Sequence, residues 1–320
     1  MKPTVLVSCG KLNFPDDVAD KLRPLADVQF VQGDYAKELS EAVSIIAGSD
    51  VVNDEYLKEA PKLRVIARFG VGYDTVDIDA CIRHKVYVCH TPDVLSEAVA
   101  DLTWTLILGW MRKITEADAY TREEWGKKKK GFPFGWDIHG KILGILGLGR
   151  IGGEVAKRGF GFGVKMIYSD IIRREDLEKV YGIRYVSQEE LLRTSDILSV
   201  HVPLLPSTKG ILGKKQFEAM KPTALVVNTS RGPVIDQKAL TEALKSKKIA
   251  GAALDVFEVE PVPLGEELLK LENVLVTPHI ASATWETRRR MAERCAESVK
   301  AYLEGNKPPF TVPEQKNVYF

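Results

Sequence analysis

Three kinds of group in the C-terminal half, a guanidinium, a carboxylate and an imidazole, suit one reaction. Arg231 follows the apolar run 224–229 through Ser230. Glu258 and Glu260 follow the run 250–254 through Asp255, and His279 follows the run 274–277 through Pro278. A guanidinium forks onto substrate oxygens with two parallel hydrogen bonds, which orients and polarises a carbonyl. An imidazolium donates a proton to a developing alkoxide, acid catalysis typically worth ~10²–10⁴ in rate. A carboxylate on the other ring nitrogen fixes its tautomer and raises its pKa. Reduction of a 2-oxo acid needs these groups and a hydride donor; the reverse reaction starts from neutral imidazole. Glu258 competes with Glu260 for the carboxylate's role, and taken singly Arg231 reads equally as a surface residue. His84, His90 and His139 lack comparable partners, whereas His201, in Val200-His201-Val202-Pro203-Leu204, reads as cofactor-side. The sequence shows neither a metal-ligand set nor a nucleophile-elbow serine.

A hydride donor has a candidate seat. The run 141–146 leads into Gly147-Leu148-Gly149-Arg150-Ile151-Gly152, and a helical pattern follows. In a strand–turn–helix, Gly147 permits the tight turn, Gly149 lets backbone approach a pyrophosphate and Gly152 lets helix pack on strand. The helix N-terminus offers free N–H groups and partial positive charge to phosphates. A second run, 164–169, ends in Asp170, at the ~20-residue spacing expected of a ribose-binding carboxylate. A carboxylate there repels a 2′-phosphate, which favours NAD over NADP. Arg173 and Arg174 follow closely, and a 2′-phosphate is a natural partner for them.

These groups need parallel strands that end on one edge, and the sequence is patterned for them. Short β-branched runs alternate with helical periods, the mark of βαβ units. Strands are expected at 5–8, 28–31, 44–47, 64–67 and 86–89, and seven more begin near Ile142, Val164, Ile183, Ile197, Ala224, Ile249 and Val274. Between the two sets runs one long helix, about 96–124, with Ser96 as its cap. Its Trp104, Ile107, Leu108 and Met111 share a face read as core, with a subunit interface as the other use. A last helix, 282–304, stops at Gly305.

The chain's 320 residues fit two domains. A net charge of +1 sets up no field for nucleic acid or an anionic bilayer. The one basic run, 127–130, reads as a solvated loop. Apolar stretches are shorter than the ~20 residues of a spanning helix. The four cysteines, Cys9, Cys81, Cys89 and Cys295, have no paired spacing and suit free thiols in a reducing compartment. A soluble, cytoplasmic protein is expected.

Several ordered stretches resemble the D-isomer-specific 2-hydroxyacid dehydrogenases. They are Arg68-Phe69-Gly70-Val71-Gly72-Tyr73-Asp74, Thr91-Pro92 with Glu97-Ala98-Val99-Ala100, the glycine turn 147–152, and His201-Val202-Pro203-Leu204. Asn228-Thr229-Ser230-Arg231-Gly232, Asp255-Val256-Phe257-Glu258-Val259-Glu260-Pro261 and Thr277-Pro278-His279 complete the set. The resemblance implies a catalytic set of Arg231, Glu260 and His279. It places Asp255 on the nicotinamide carboxamide, and His201, Pro203, Thr208, Thr229, Ser230 and Arg231 along the cofactor. It implies that backbone amides at Val71 and Gly72 join Arg231 and His279 on the substrate. It further implies an α/β fold in which a Rossmann doubly wound nucleotide domain, 101–286, is inserted into a flavodoxin-like α/β substrate domain, 1–100 with 287–320. A hinge would close the cleft, and the partner would be a second copy in a homodimer.

The surroundings of Thr91 and Trp136 resemble glyoxylate, hydroxypyruvate and 2-ketogluconate reductases. Many phosphoglycerate dehydrogenases carry Arg-Ser where this chain has Ala47-Gly48. Many NADP-type glyoxylate reductases carry Arg where it has Asp170. The alternatives are a D-3-phosphoglycerate dehydrogenase, phosphite or formate oxidation, and an NAD(H)-sensing co-repressor on the same scaffold.

Overall fold

A computed structural model describes residues 2–127 and 131–320. All of the basic run except Lys127 lies outside the described residues. The chain forms two compact units, one from residues up to Leu95 with Ser282–Phe320 and the other Ser96–Ala281. The expected junctions, after residues 100 and 286, fall instead after 95 and 281. The helix that starts at Ser96 packs within the second unit, where the Trp104 indole donates to the Val155 carbonyl at 3.0 Å. The amide of Ala281 is held by Asp255, which keeps that residue in the second unit as well.

In the first unit, strands β1 (Thr4–Val7), β2 (Asp27–Phe30), β3 (Ala42–Ala47), β4 (Val65–Arg68) and β5 (Tyr87–Cys89) form one parallel sheet. Their order, β2-β1-β3-β4-β5, is the flavodoxin-like arrangement. Parallel strands with both faces covered read as near-continuous apolar runs, as in β3, where Ile45, Ile46 and Ala47 have no exposed surface. The helix Trp285–Leu303 packs on this unit, with the Cys295 thiol directed at the Ala67 and Arg68 carbonyls. Beyond it the tail lies along edge strand β5. Gln315 is fully buried; its side-chain oxygen accepts from Val88 N at 2.7 Å and its side-chain nitrogen donates to the Val86 carbonyl at 2.9 Å.

The second unit holds β6 (Ile142–Leu146), β7 (Lys165–Ser169), β8 (Arg184–Tyr185), β9 (Ile197–Val200), β10 (Leu225–Asn228), β11 (Gly251–Leu254) and β12 (Val274–Val276). The order β12-β11-β10-β9-β6-β7-β8, all parallel, is a Rossmann sheet with one added strand. The predicted strand starts fall within two residues of these. Trp104, Ile107 and Met111 are buried in this unit's core, and Leu108 packs against it, so the stripe is core.

The single helix expected over 96–124 is two, Ser96–Met111 and Ile114–Glu123. Lys113 takes the left-handed backbone, φ 54°, between them. The amide of Trp136 returns to the Met111 carbonyl at 2.9 Å, and its ring stacks on Trp110 at 5.0 Å. This long-range pairing offsets the ~1–2 kcal/mol cost of a left-handed residue. Helical periodicity continues across the break and does not register it. Among the described residues no helix is long and apolar enough to cross a membrane.

Candidate active site

The parallel strands β6 and β9–β12 all release the chain at one edge of the second sheet. After β6, Gly147 holds φ 92°, and a Cβ there would lie 2.9 Å from the His201 carbonyl carbon. A Cβ on Gly152 would lie 2.2 Å from the Gly147 oxygen, so only glycine lets the helix Arg150–Phe162 start this close. At Gly149 the reason differs. A Cβ would meet nothing within 4 Å, so the fold does not require glycine, and the bare backbone suits a close ligand. No side chain caps the helix at Gly149, which leaves the first-turn N–H groups of Ile151 and Gly152 to a ligand or solvent.

Asp170, after β7, is tied to this turn. Its Oδ2 accepts from Leu148 N at 2.6 Å and its Oδ1 from Ile172 N at 3.0 Å. Each oxygen keeps a lone pair for a ribose hydroxyl. His201 leaves β9 with Nε2 2.7 Å from the Ser199 hydroxyl, while Nδ1 is buried with no partner. Burial pushes the imidazole pKa down to about 3, so the ring is neutral. A buried orphan nitrogen next to the glycine turn fits a bound polar group. Thr208 closes its own loop, donating to the Pro203 carbonyl at 2.6 Å and accepting from Leu205 N at 2.8 Å. The donor set, the bare Gly149 backbone and the Asp170 carboxylate together fit a dinucleotide.

The other end of the edge brings an imidazole, a carboxylate and a guanidinium together. His279 Nδ1 lies 2.6 Å from Glu260 Oε2, and Glu260 Oε1 accepts from Phe257 N at 2.9 Å. Burial pushes the Glu260 carboxyl up, but the bonds from His279 and Phe257 N, and the charge on Arg231, outweigh it. The net shift is downward. At Glu258 the backbone N–H donates to the Gln237 side-chain oxygen at 3.1 Å.

Asp255 is fully buried. Its carboxylate accepts from the Thr277 hydroxyl at 2.6 Å and from the amides of Ile280 and Ala281 at 2.8 Å each. Its carbonyl accepts from His279 N at 2.9 Å. These four bonds hold His279 in the left-handed region, φ 54°, which side chains otherwise seldom adopt. Burial drives the Asp255 carboxyl up, and its hydrogen bonds only partly oppose this.

Arg231 stands in a turn built by Asn228. The Asn228 side-chain oxygen accepts from Ser230 N and its hydroxyl at 3.0 and 2.8 Å, and its nitrogen donates to the Arg231 carbonyl at 3.0 Å. A Cβ on Gly232 would lie 1.8 Å from the Phe257 oxygen, so this turn packs directly on the loop that carries Glu260. The Thr229 hydroxyl is paired inward with Thr103 at 2.9 Å. Val71 and Gly72 belong to the first unit, in the loop after β4, where the Val71 carbonyl is 3.1 Å from His90 Nδ1. Sequence reasoning missed Asn228, Thr277 and the Phe257 amide as positioning groups. Only Asn228 left a signal, as an Asx-turn residue at a strand end.

Residues 104–281 match the family model of the D-isomer specific 2-hydroxyacid dehydrogenase NAD binding domain. The chain belongs to the D-isomer-specific 2-hydroxyacid dehydrogenases. It is 48% identical over 283 residues to a glyoxylate reductase of Korarchaeum cryptofilum, covering 87% of this chain and 84% of that one. Two solved structures of the family are similar throughout. The D-lactate dehydrogenase of Aquifex aeolicus, complexed with NAD and lactic acid, superposes with a TM-score of 0.86 at 30% identity, covering 94% of this chain and 96% of that one. The NADPH-dependent glyoxylate/hydroxypyruvate reductase of Sinorhizobium meliloti, with NADP and malonate, gives 0.88 at 31%, covering 98% of each. Like other 2-hydroxyacid dehydrogenases, this protein is a nicotinamide-dependent oxidoreductase.

Proposed function

We propose that this dehydrogenase reduces a small 2-oxo acid of the glyoxylate, hydroxypyruvate or 2-ketogluconate type to the D-2-hydroxy acid, with NADH. The 2.6 Å contact between His279 and Glu260, on the sheet edge that also carries the glycine turn, carries this reading. Bound nicotinamide supplies the hydride. Arg231 forks onto the substrate's oxygens and polarises the ketone. His279 gives its proton to the developing alkoxide, and Glu260 steadies the imidazolium. The amides of Val71 and Gly72 take the substrate carboxylate. Asp170 accepts from the ribose hydroxyls, which favours NADH over NADPH.

Asp255, with three in-chain donors on its carboxylate, keeps one lone pair for the nicotinamide carboxamide. Four free, buried cysteines suit a reducing cytoplasm. Burial raises each thiol, those of Cys9, Cys81 and Cys89 to about 12, so none supplies a thiolate nucleophile. The working unit is a homodimer, a point sedimentation measures directly.

The test follows NADH and NADPH absorbance with glyoxylate, hydroxypyruvate, 2-ketogluconate and 3-phosphohydroxypyruvate. Turnover with a small unphosphorylated 2-oxo acid is expected. No turnover with any of them would favour a nucleotide-sensing role, and turnover confined to the phosphorylated acid would move the substrate assignment.

A further inference from the structure

Beyond Asp170 the chain carries two adjacent arginines, the residue type whose planar fork grips phosphate. Both forks are filled from within the chain. Arg174 sets Nε and Nη2 against the two oxygens of Asp176 at 2.9 and 2.7 Å. Its Nη1 donates to the Leu148 carbonyl at 3.2 Å, on the residue whose amide holds Asp170. Arg173 sets Nε and Nη2 against the two oxygens of Glu178, both at 2.9 Å. Its guanidinium also lies 5.8 Å from the centre of the Tyr185 ring.

Of the two carboxylates Glu178 is the anchored one, whereas Asp176 is more exposed than Arg174 and is held two residues along the chain from it. Tyr168 donates to Glu178 at 2.7 Å and its oxygen accepts from Arg174 N at 2.8 Å. The Glu178 side chain is 18% exposed against 58% for Arg173. Arg173 and Tyr168 together hold the Glu178 carboxyl down at about 2, so it stays charged at neutral pH. The segment 170–178 sets four carboxylates, Asp170, Glu175, Asp176 and Glu178, against these two cations.

We propose that Asp176 and Glu178 are specificity-determining residues that withhold Arg174 and Arg173 from a nucleotide 2′-phosphate. This rests on the NADH preference proposed above and adds to it a second layer behind Asp170. Strength of pairing is not what excludes the phosphate, since exposed ion pairs contribute only ~0–1 kcal/mol. Position is. A phosphate that displaced either carboxylate would still face it at short range, two like charges sharing one arginine.

The test compares adenosine 2′,5′-bisphosphate with 5′-AMP, which lacks the 2′-phosphate, by titration calorimetry. Proteins are the wild type, Asp176→Asn, Glu178→Gln, and the double variant. The double variant is expected to bind the bisphosphate about tenfold tighter than wild type with AMP affinity unchanged, the scale of one charged hydrogen bond released to a ligand. Adding Arg173→Met and Arg174→Met should abolish the gain. An unchanged bisphosphate-to-AMP ratio in the double variant overturns the proposal while leaving the NADH preference standing. A wild type that already prefers the bisphosphate overturns the preference itself. Should Glu178→Gln impair folding, seen as a lowered melting temperature and lost AMP binding, Asp176→Asn at its more exposed site decides alone through the same ratio.

Discussion

The two ends of the second sheet's carboxyl edge hold their functional groups by opposite means. Around Asp255 and His279, positions are set by bonds onto one fully buried residue: two amides and a hydroxyl on its carboxylate, and its carbonyl, which fixes a left-handed histidine. Around Asp170, the surrounding order comes largely from half-exposed charged side chains, Arg173 with Glu178 and Arg174 with Asp176. Buried bonds cost several kcal/mol to disrupt, whereas exposed ion pairs rearrange for about 1 kcal/mol or less. The proposed reaction geometry is therefore rigid where protons are expected to move, and the proposed nucleotide choice would rest on groups that single substitutions can exchange.

Substitutions at the rigid end should have the largest effects. His279→Ala is expected to lower turnover by ~10²–10⁴ with little change in NADH affinity, read by steady-state rates and fluorescence titration. Unchanged turnover would remove His279 from the mechanism. Asp255→Ala strands three donors, the Thr277 hydroxyl and the Ile280 and Ala281 amides, and frees His279 from its strained backbone. A loss of about 3 kcal/mol in stability is expected by denaturant titration, with a fall in turnover. A stability change under about 0.5 kcal/mol would show that the clamp is not rigid.

His201, between the two ends, tests burial alone. Its folded pKa lies below the free value of 6.5, so below that pH the unfolded chain binds the extra proton and the native state does not. Stability should fall as pH drops from 6.5 toward 3, at up to about 1.4 kcal/mol per pH unit. His201→Asn should flatten that slope between pH 6.5 and 5, above the range where ordinary carboxylates titrate. Equal slopes in both proteins would mean that the imidazole protonates in the native state. Asp170→Ala, at the exchangeable end, should weaken NADH about tenfold and relax discrimination against NADPH while changing stability by less than about 1 kcal/mol. An unaltered preference would show that Asp170 does not contact the ribose.

Much of this was legible in the residues. Strand starts were readable because buried parallel strands are apolar on both faces. The glycine turn was readable because Gly147 and Gly152 sit where backbone meets backbone. What periodicity does not encode is choice of partner. The break at Lys113 depends on Trp136, far along the chain, and the clamp at Asp255 depends on amides that every residue carries. Arg173 and Arg174 read as open cations, because nothing in their spacing shows that Glu178 and Asp176 turn back onto them.

At the margin of the first sheet, one glutamine side chain stands in for a neighbouring strand. Gln315 meets the Val88 amide and the Val86 carbonyl, while backbone of the same tail, at Val312 and Phe310, takes the Val88 carbonyl and the His90 amide, groups with which an extended peptide would otherwise pair. Gln315→Leu would leave a template for self-association, and growth of light scattering on storage, at unchanged initial activity, is how that loss would announce itself.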